Sequence, residues 1–383
     1  MDANIQTKII DAVSRSGFPL EHQVMNILRD KGWQTITNRY YIDDIKGVER
    51  EVDILAYKTY NDDIERISYI TTLVISCKKS DKSKWCFLTR KANHYDANVN
   101  WTPLHYCTTD ARLNYMSLYH KNIVIDEYRH HRAIKILYNF PKMVFAFQQM
   151  SEKTVDRKTI YEITKNEQIY DSIITSIKAV DAEKHSRIEK RKNDEYKRYY
   201  TFHILSIFDG AMYEDFFDES GEQHVNDLKE IKYLNRHIVN KIDDFYIVNF
   251  IHIDELNYRL KLFDILHSQN ERTLPKLLTS FYVNIFSSED RVNLVKKDFE
   301  NQVLWFIIHK INLLNDETID KIDVGYNMSD NGVLEIQLLS MQPLDHIIQD
   351  LNNDKELTSR IKSSLDKVFR YTGKFKLTND FPF

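Results

Sequence analysis

One segment constrains this chain more than any other: residues 67–78, Ile-Ser-Tyr-Ile-Thr-Thr-Leu-Val-Ile-Ser-Cys-Lys. A run this long and this rich in β-branched residues reads as a strand. The segments before it supply partners. Residues 33–42 and 48–58 read as two further strands, joined by a turn at 43–47, and the polar stretch 60–65 turns the chain into the long run. Residues 85–88 offer a fourth strand. Two helices come first. Residues 2–15 carry Ile5, Ile9, Ala12 and Val13 on one side, and a second helix starts at Pro19 and stops near Gly32.

Composition restricts the class. The 383 residues are 42% hydrophobic and 29% charged, with only 8 Gly and 6 Pro, which describes folded domains and excludes collagen-like or linker-rich chains. Net charge is −4, so contact with nucleic acid requires a local basic patch. The three cysteines, Cys77, Cys86 and Cys107, form no CxxC pair, which fits a reducing cytoplasm. No apolar run approaches membrane-spanning length, so no membrane partner is expected. No glycine-rich phosphate loop is present, so any ATPase would be a separate partner.

The informative block is residues 18–90. In the second helix Leu20, Val24, Ile27 and Leu28 form the apolar stripe, and Glu21 projects along its edge. A glutamate in a first turn is favoured by the helix dipole. A carboxylate facing a core also needs a partner. In the hairpin of 50–58 with 67–78, pairing Tyr60 with Ile67 sets Asp53 opposite Val74, and pairing Tyr60 with Tyr69 sets it opposite Ser76. Alternation puts Ser76 and Lys78 on one face and Leu73, Ile75 and Cys77 on the other, while Glu51 and Asp53 share a face. Carboxylates and a lysine at the end of an apolar hairpin suit a divalent ion with an ammonium beside it.

Glu21 on an early helix, the strand Glu51-Val-Asp53-Ile-Leu-Ala and the strand Leu73-Val-Ile-Ser76-Cys-Lys78 together resemble the restriction-endonuclease-like, PD-(D/E)XK nuclease superfamily. The resemblance covers roughly residues 1–150. It implies an α/β (α+β) fold with an N-terminal mixed sheet flanked by helices. It also implies hydrolysis of phosphodiester bonds in DNA, with Mg²⁺ or Mn²⁺ as cofactor, in a setting such as bacterial defence against foreign DNA. By the same resemblance Asp53 ligates the metal, Lys78 orients the attacking water or offsets developing charge, and Glu21 is a supporting ligand. Glu51 and Cys77 complete the ligand candidates. The family's second acid falls on Ser76, a poor ligand for Mg²⁺. Residues 82–95 contain no Asp or Glu, so Asp96, Asp110, Glu21 or Glu51 would have to replace it. The alternative is a degenerate nuclease fold that binds nucleic acid or a protein without cutting.

Lys79, Lys82, Lys84 and Arg90 follow the candidate site and are candidates for phosphate contact; a solvated loop explains them equally. Trp85 and Phe87 read as core. Beyond residue 150, three further parts are expected: a helical connector at 151–198, an α+β middle domain at 199–287 and a mostly helical domain at 288–383. In the middle domain a strand at 199–208 turns at Asp209-Gly210 into a return strand at 212–217. The last domain carries a hairpin at Asn331-Gly332 and can serve homo-oligomerisation.

Overall fold

The run that dominates the sequence is the strand Ile67–Lys79, buried from Ile67 through Cys77 in the computed structural model. One edge is paired along its whole length and the other from Ile67 to Ile75. The structure describes residues 3–42, 47–93, 104–191, 194–239, 242–315 and 318–380. The fold is mixed α/β and divides into two units, Met1–Asp110 with Lys121–Pro275, and Ala111–His120 with Lys276–Phe383. Among the described residues no helix is long and apolar enough to cross a membrane.

In chain order the elements are α1 (Ala3–Ser14), α2 (Phe18–Asp30), β1 (Gln34–Ile42), β2 (Glu49–Asp62), β3 (Ile67–Lys79), β4 (Ser83–Lys91), β5 (His105–Thr108) and α3 (Ala111–Tyr119). Next come α4 (Asn122–His130), α5 (Arg132–Tyr138), β6 (Lys142–Val155), β7 (Lys158–Ile163), α6 (Glu167–Arg191), β8 (Lys197–Asp209), β9 (Met212–Phe217), β10 (Gln223–Leu228), β11 (Glu230–Val239) and β12 (Ile242–His252). The chain ends with α7 (Leu256–Tyr282), α8 (Glu289–Leu314), β13 (Asp323–Met328), β14 (Leu334–Leu339), α9 (Asp345–Asn353), α10 (Lys355–Phe369) and β15 (Phe375–Asp380).

The main sheet of the first unit runs β1-β2-β3-β8-β12-β11, with β5 also on β8. β1, β2 and β3 form an antiparallel meander, and β8 lies parallel to β3. Of the two registers left open by the sequence, the structure has Tyr60 opposite Tyr69. A second sheet runs β10-β9-β4-β6-β7. Its Trp85, Phe87, Val144 and Met212 share a core with Leu55, Val74, Ile204 and Phe250 of the main sheet. Trp85 and Phe87 are core, stacked on Phe208 and packed against Phe250.

The expected boundaries at 150 and 198 do not divide the structure, because β8 completes the sheet begun by β3 and β6 pairs with β4. Nor is 151–198 only a helical connector. β7 lies within it, and the first half of α6 buries Ile169, Ile173, Ile177 and Val180 in the shared core. In the polar half, Glu183 is buried and held at 2.9 Å by both Arg39 and Arg187. The segment 212–217 does not return along 199–208. It crosses to the second sheet and pairs with β4 and β10. That choice of partner is tertiary, since the turn residues Asp209-Gly210 suit either outcome.

In the second unit β13 and β14 form the expected hairpin, and β15 adds in parallel to β14. Phe299, Val303 and Ile307 of α8 and Leu357, Ile361 and Leu365 of α10 are buried. After the hairpin the chain forms two helices, α9 and α10, because the Asp354 side chain caps α10 by accepting from the N–H groups of Glu356 and Leu357.

Candidate functional site

The candidate site lies where β2 and β3 part. Their pairing ends at Ile54 opposite Ile75. Each strand nevertheless continues, β2 back to Glu49 beside β1 and β3 on to Lys79 beside β8. The parting leaves the Cys77 N–H without a strand partner on that side, and Asp53 supplies one. Its Oδ2 accepts from the Cys77 N–H at 2.6 Å. A carboxylate thus takes the place of a ladder carbonyl, which fixes its position at the mouth of the fork.

A break in alternation turns Asp53 into that position. Ile36 and Leu55 pack on the shared core, and so do Tyr41 and Val52. Such odd spacings are impossible along a regular strand, so the pleat of both β1 and β2 slips by one between them. The slip coincides with Asn38, which sits in the left-handed region at φ 54°. Asparagine tolerates that region better than other side chains. Its side chain then donates to Glu51 Oε1 at 2.6 Å.

Glu21 reaches the same place from the first turn of α2. Leu20, Val24 and Leu28 bury the helix against the meander. Gly17 leaves room for the Glu21 carboxylate, whose Oε1 would lie 3.3 Å from a Cβ there. The helix dipole would lower the Glu21 pKa. Instead it is raised above the usual 4.5, first by burial, then by the charges of Asp53 and Glu51, with Lys78 acting in the opposite direction. Repulsion and desolvation therefore outweigh the dipole, and the four groups form one electrostatic unit. Tyr40 hydrogen-bonds Glu51 as well, and its own phenol is raised chiefly by that carboxylate.

Cys77 and Ser76 play different parts from those expected of ligand and acid. The Cys77 thiol is buried and raised well above its ordinary value by burial, then by Asp53 and Glu21. It stays protonated, and a neutral thiol is a poor ligand for a hard cation. What Cys77 contributes is its N–H. Ser76 is only 6% exposed. By alternation it shares a face with Val74, which packs in the core that contains α6. The nominal register still sets it opposite Asp53, one rung beyond the last pair.

The downstream carboxylates do not reach the fork. Asp96 lies outside the described residues. Asp110 is buried just past β5, whose Thr108 pairs with Tyr199, whereas Lys78 pairs with Phe208 at the other end of β8. At ~3.3 Å per residue the separation is roughly 30 Å.

Of the basic residues, Lys79 is ion-paired with Asp209 at 3.4 Å and Lys84 with Glu152 at 3.7 Å. Lys82 and Arg90 are exposed. The sequence marks Asp209 only as a turn residue. The strand end that carries it is drawn against β3, with Ser80 N–H donating to its carbonyl at 3.0 Å. Gly210 permits the approach, since a Cβ there would stand 2.6 Å from the Ser80 carbonyl oxygen.

The tightest group of potential ligands is elsewhere. Among the described residues, Asp218, Glu222 and His224 bring ligand atoms within 4.8 Å of one another; Glu21, Glu51 and Asp53 are spread wider. The Asp218 trio has a structural account. Asp218 accepts from Ser220 and from the Glu222 N–H and pairs with His224 at 2.8 Å, which ties the β9–β10 turn and lowers its pKa.

Compared with family models, with curated proteins and with solved structures, the chain finds no match in any of the three.

Proposed function

We propose that the first unit is a divalent-cation-dependent nuclease domain acting on DNA. The observation that carries this reading is the fork itself: Asp53 fixed on the Cys77 N–H, with Asp53, Glu51 and Lys78 all close enough to Glu21 to act on its protonation. The order of elements supports it. A helix with Glu21, a strand, a strand with Asp53 and a strand with Ser76-x-Lys78 follow the core order of the restriction-endonuclease-like nucleases that the sequence resembles.

The donors suit a hard cation, being carboxylate oxygens whose mutual repulsion a cation would relieve. Asp53 and Glu21 would hold Mg²⁺ or Mn²⁺, and Glu51 is within electrostatic reach. A bound cation supplies a hydroxide nucleophile at neutral pH and offsets phosphate charge. The chain's own contributions are separate. Lys78 offsets negative charge that develops on the phosphate as the ester bond breaks. The Cys77 N–H keeps the Asp53 carboxylate from rotating out of the fork. The three cysteines are free and buried, which suits a reducing compartment such as the cytoplasm.

A second reading, a nuclease fold that binds nucleic acid or a protein without cutting, draws on one observation. Ser76 leaves no carboxylate where the family has its second acid, and it is buried. Thermal melting with EDTA, Ca²⁺ or Mg²⁺, paired with plasmid nicking, tests both. A cation-dependent rise in Tm lost in Asp53→Asn, together with nicking, supports the nuclease. A rise without nicking supports the second reading. No rise in any cation rules out the cation site.

A further inference from the structure

The longest apolar run of the chain, residues 303–308, Val-Leu-Trp-Phe-Ile-Ile, lies within α8. Consecutive apolar residues point to every side of a helix, so one face of a fold cannot bury them all. Val303, Phe306 and Ile307 are buried, and Trp305 is left 73% exposed. Leu294 and Leu313 of the same helix are exposed as well, at 40% and 65%. We propose that this face of α8 is an interface between two copies of the chain, packed antiparallel about a two-fold axis.

A second copy fits because the face is complementary to itself. In an isologous contact each residue of a patch meets the residue equally far beyond the axis. About the point between Val303 and Leu304, Leu294 and Leu313 are equally distant, and so are Asp298 and His309. Two antiparallel copies of α8 therefore set Leu294 beside the partner's Leu313, and Asp298 beside the partner's His309. Both contacts occur twice. Trp305 falls next to the axis, where an aromatic anchor contributes most to an interface. A partner of another kind would not require the patch to read alike from both ends.

Charge fixes the direction. Asp298 and His309 are both exposed. Among the described residues neither has an ion-pair partner within the chain. They stand roughly 16 Å apart along the helix, too far to meet each other in one copy. His309 is stacked on Trp305, with ring centres 5.4 Å apart and planes within 3°. Its imidazole is thereby held on the exposed face, where a ring N–H can donate to a carboxylate in either protonation state. Parallel packing in the same register would set Asp298 against the partner's Asp298, which is repulsive. One helix face makes a small contact, so the dimer is weak, with a Kd of about 10–100 μM.

Sedimentation velocity of the full chain in EDTA, from about 2 to 400 μM, spans that Kd on both sides. The expected result is a reversible monomer–dimer equilibrium. Trp305→Glu should be monomeric throughout. Asp298→Arg and His309→Glu should each raise Kd about tenfold. The double variant reverses the pair instead of removing it, and should return Kd to within about threefold of wild type. That recovery reports on the interface alone, because the two positions are too distant to interact along one helix. The three side chains are exposed, so circular-dichroism melts of the variants should match wild type. A monomer at every concentration leaves the face to some other partner and overturns the proposal. So does a dimer indifferent to Trp305→Glu, or a double variant no tighter than the weaker single one.

Discussion

The Asp53 carboxylate accepts a hydrogen bond from the Cys77 backbone N–H at 2.6 Å, across the point where β2 and β3 separate. One side chain therefore both terminates a strand pair and stands where the two strands diverge. Structure and chemistry can be separated by substitution, because only the charge is needed for a cation and only an acceptor is needed for the N–H.

Asp53→Asn keeps an acceptor and should cost less than about 1 kcal/mol, whereas Asp53→Ala leaves a buried N–H unpaired and should cost about 1–3 kcal/mol. Both should lose the Mg²⁺-dependent rise in Tm and any nicking. Urea melts in EDTA separate the stability effect from the cation effect. Equal stability of the two variants would contradict the bridging role.

Glu21 sets a pH dependence with a definite sign. Its folded pKa is raised above 4.5, so the folded protein resists its ionisation. Stability is therefore lost as pH rises from the unfolded value through the raised one, and the penalty is complete above it. Glu21→Gln should then be more stable than wild type at pH 7 and no more stable below about pH 4. Ca²⁺ at pH 7 should reverse the order by stabilising wild type alone. Melting curves across pH check all three statements.

Lys78→Met removes the cation that opposes this shift, so it should raise the Glu21 pKa further. The onset of Mg²⁺-dependent stabilisation should move to higher pH while the stabilisation itself survives. Nicking should fall by a factor of about 100 or more, because the lysine acts on charge that appears only during reaction. Loss of the Mg²⁺ effect at every pH would instead make Lys78 part of the cation site's architecture.

Ser76→Glu tests the departure from the family. Ser76 is nearly fully buried, so a carboxylate there has to be desolvated as well as packed. A loss of about 2–5 kcal/mol is expected, with no recovery in Mg²⁺. Ser76→Ala should cost less than about 1.5 kcal/mol. A larger Mg²⁺-dependent rise in Tm for Ser76→Glu than for wild type would show that the position opens onto the fork after all.

Trp85 joins the two sheets of the first unit, stacked on Phe208 at 3.8 Å with its indole N–H buried and unpartnered among the described residues. Trp85→Ala should cost about 3–5 kcal/mol, and Trp85→Phe far less, since it keeps the stack and removes the unpaired donor. Denaturant melts followed by circular dichroism provide the comparison.

What the sequence determined by itself was local. Strand and helix periodicity placed α1, α2, β1 to β3, β8, β9 and the β13–β14 hairpin close to where they lie, because alternation and turn residues act over a few positions. It also drew attention to Glu21, Asp53 and Lys78, since charges at the end of apolar strands are unusual. Tertiary structure decided everything that depended on distant partners. Polar strands such as β10, Gln-His-Val-Asn-Asp-Leu, carry no apolar alternation and exist only because β9 is there to pair with. The face of Asp53 turned on a one-residue slip at Asn38, and alternation alone cannot register such a slip. The burial of Glu183 needed two arginines, one of them 144 residues away. Strand edges and buried charges are satisfied by whatever the fold brings to them, and the local sequence does not encode which group that will be.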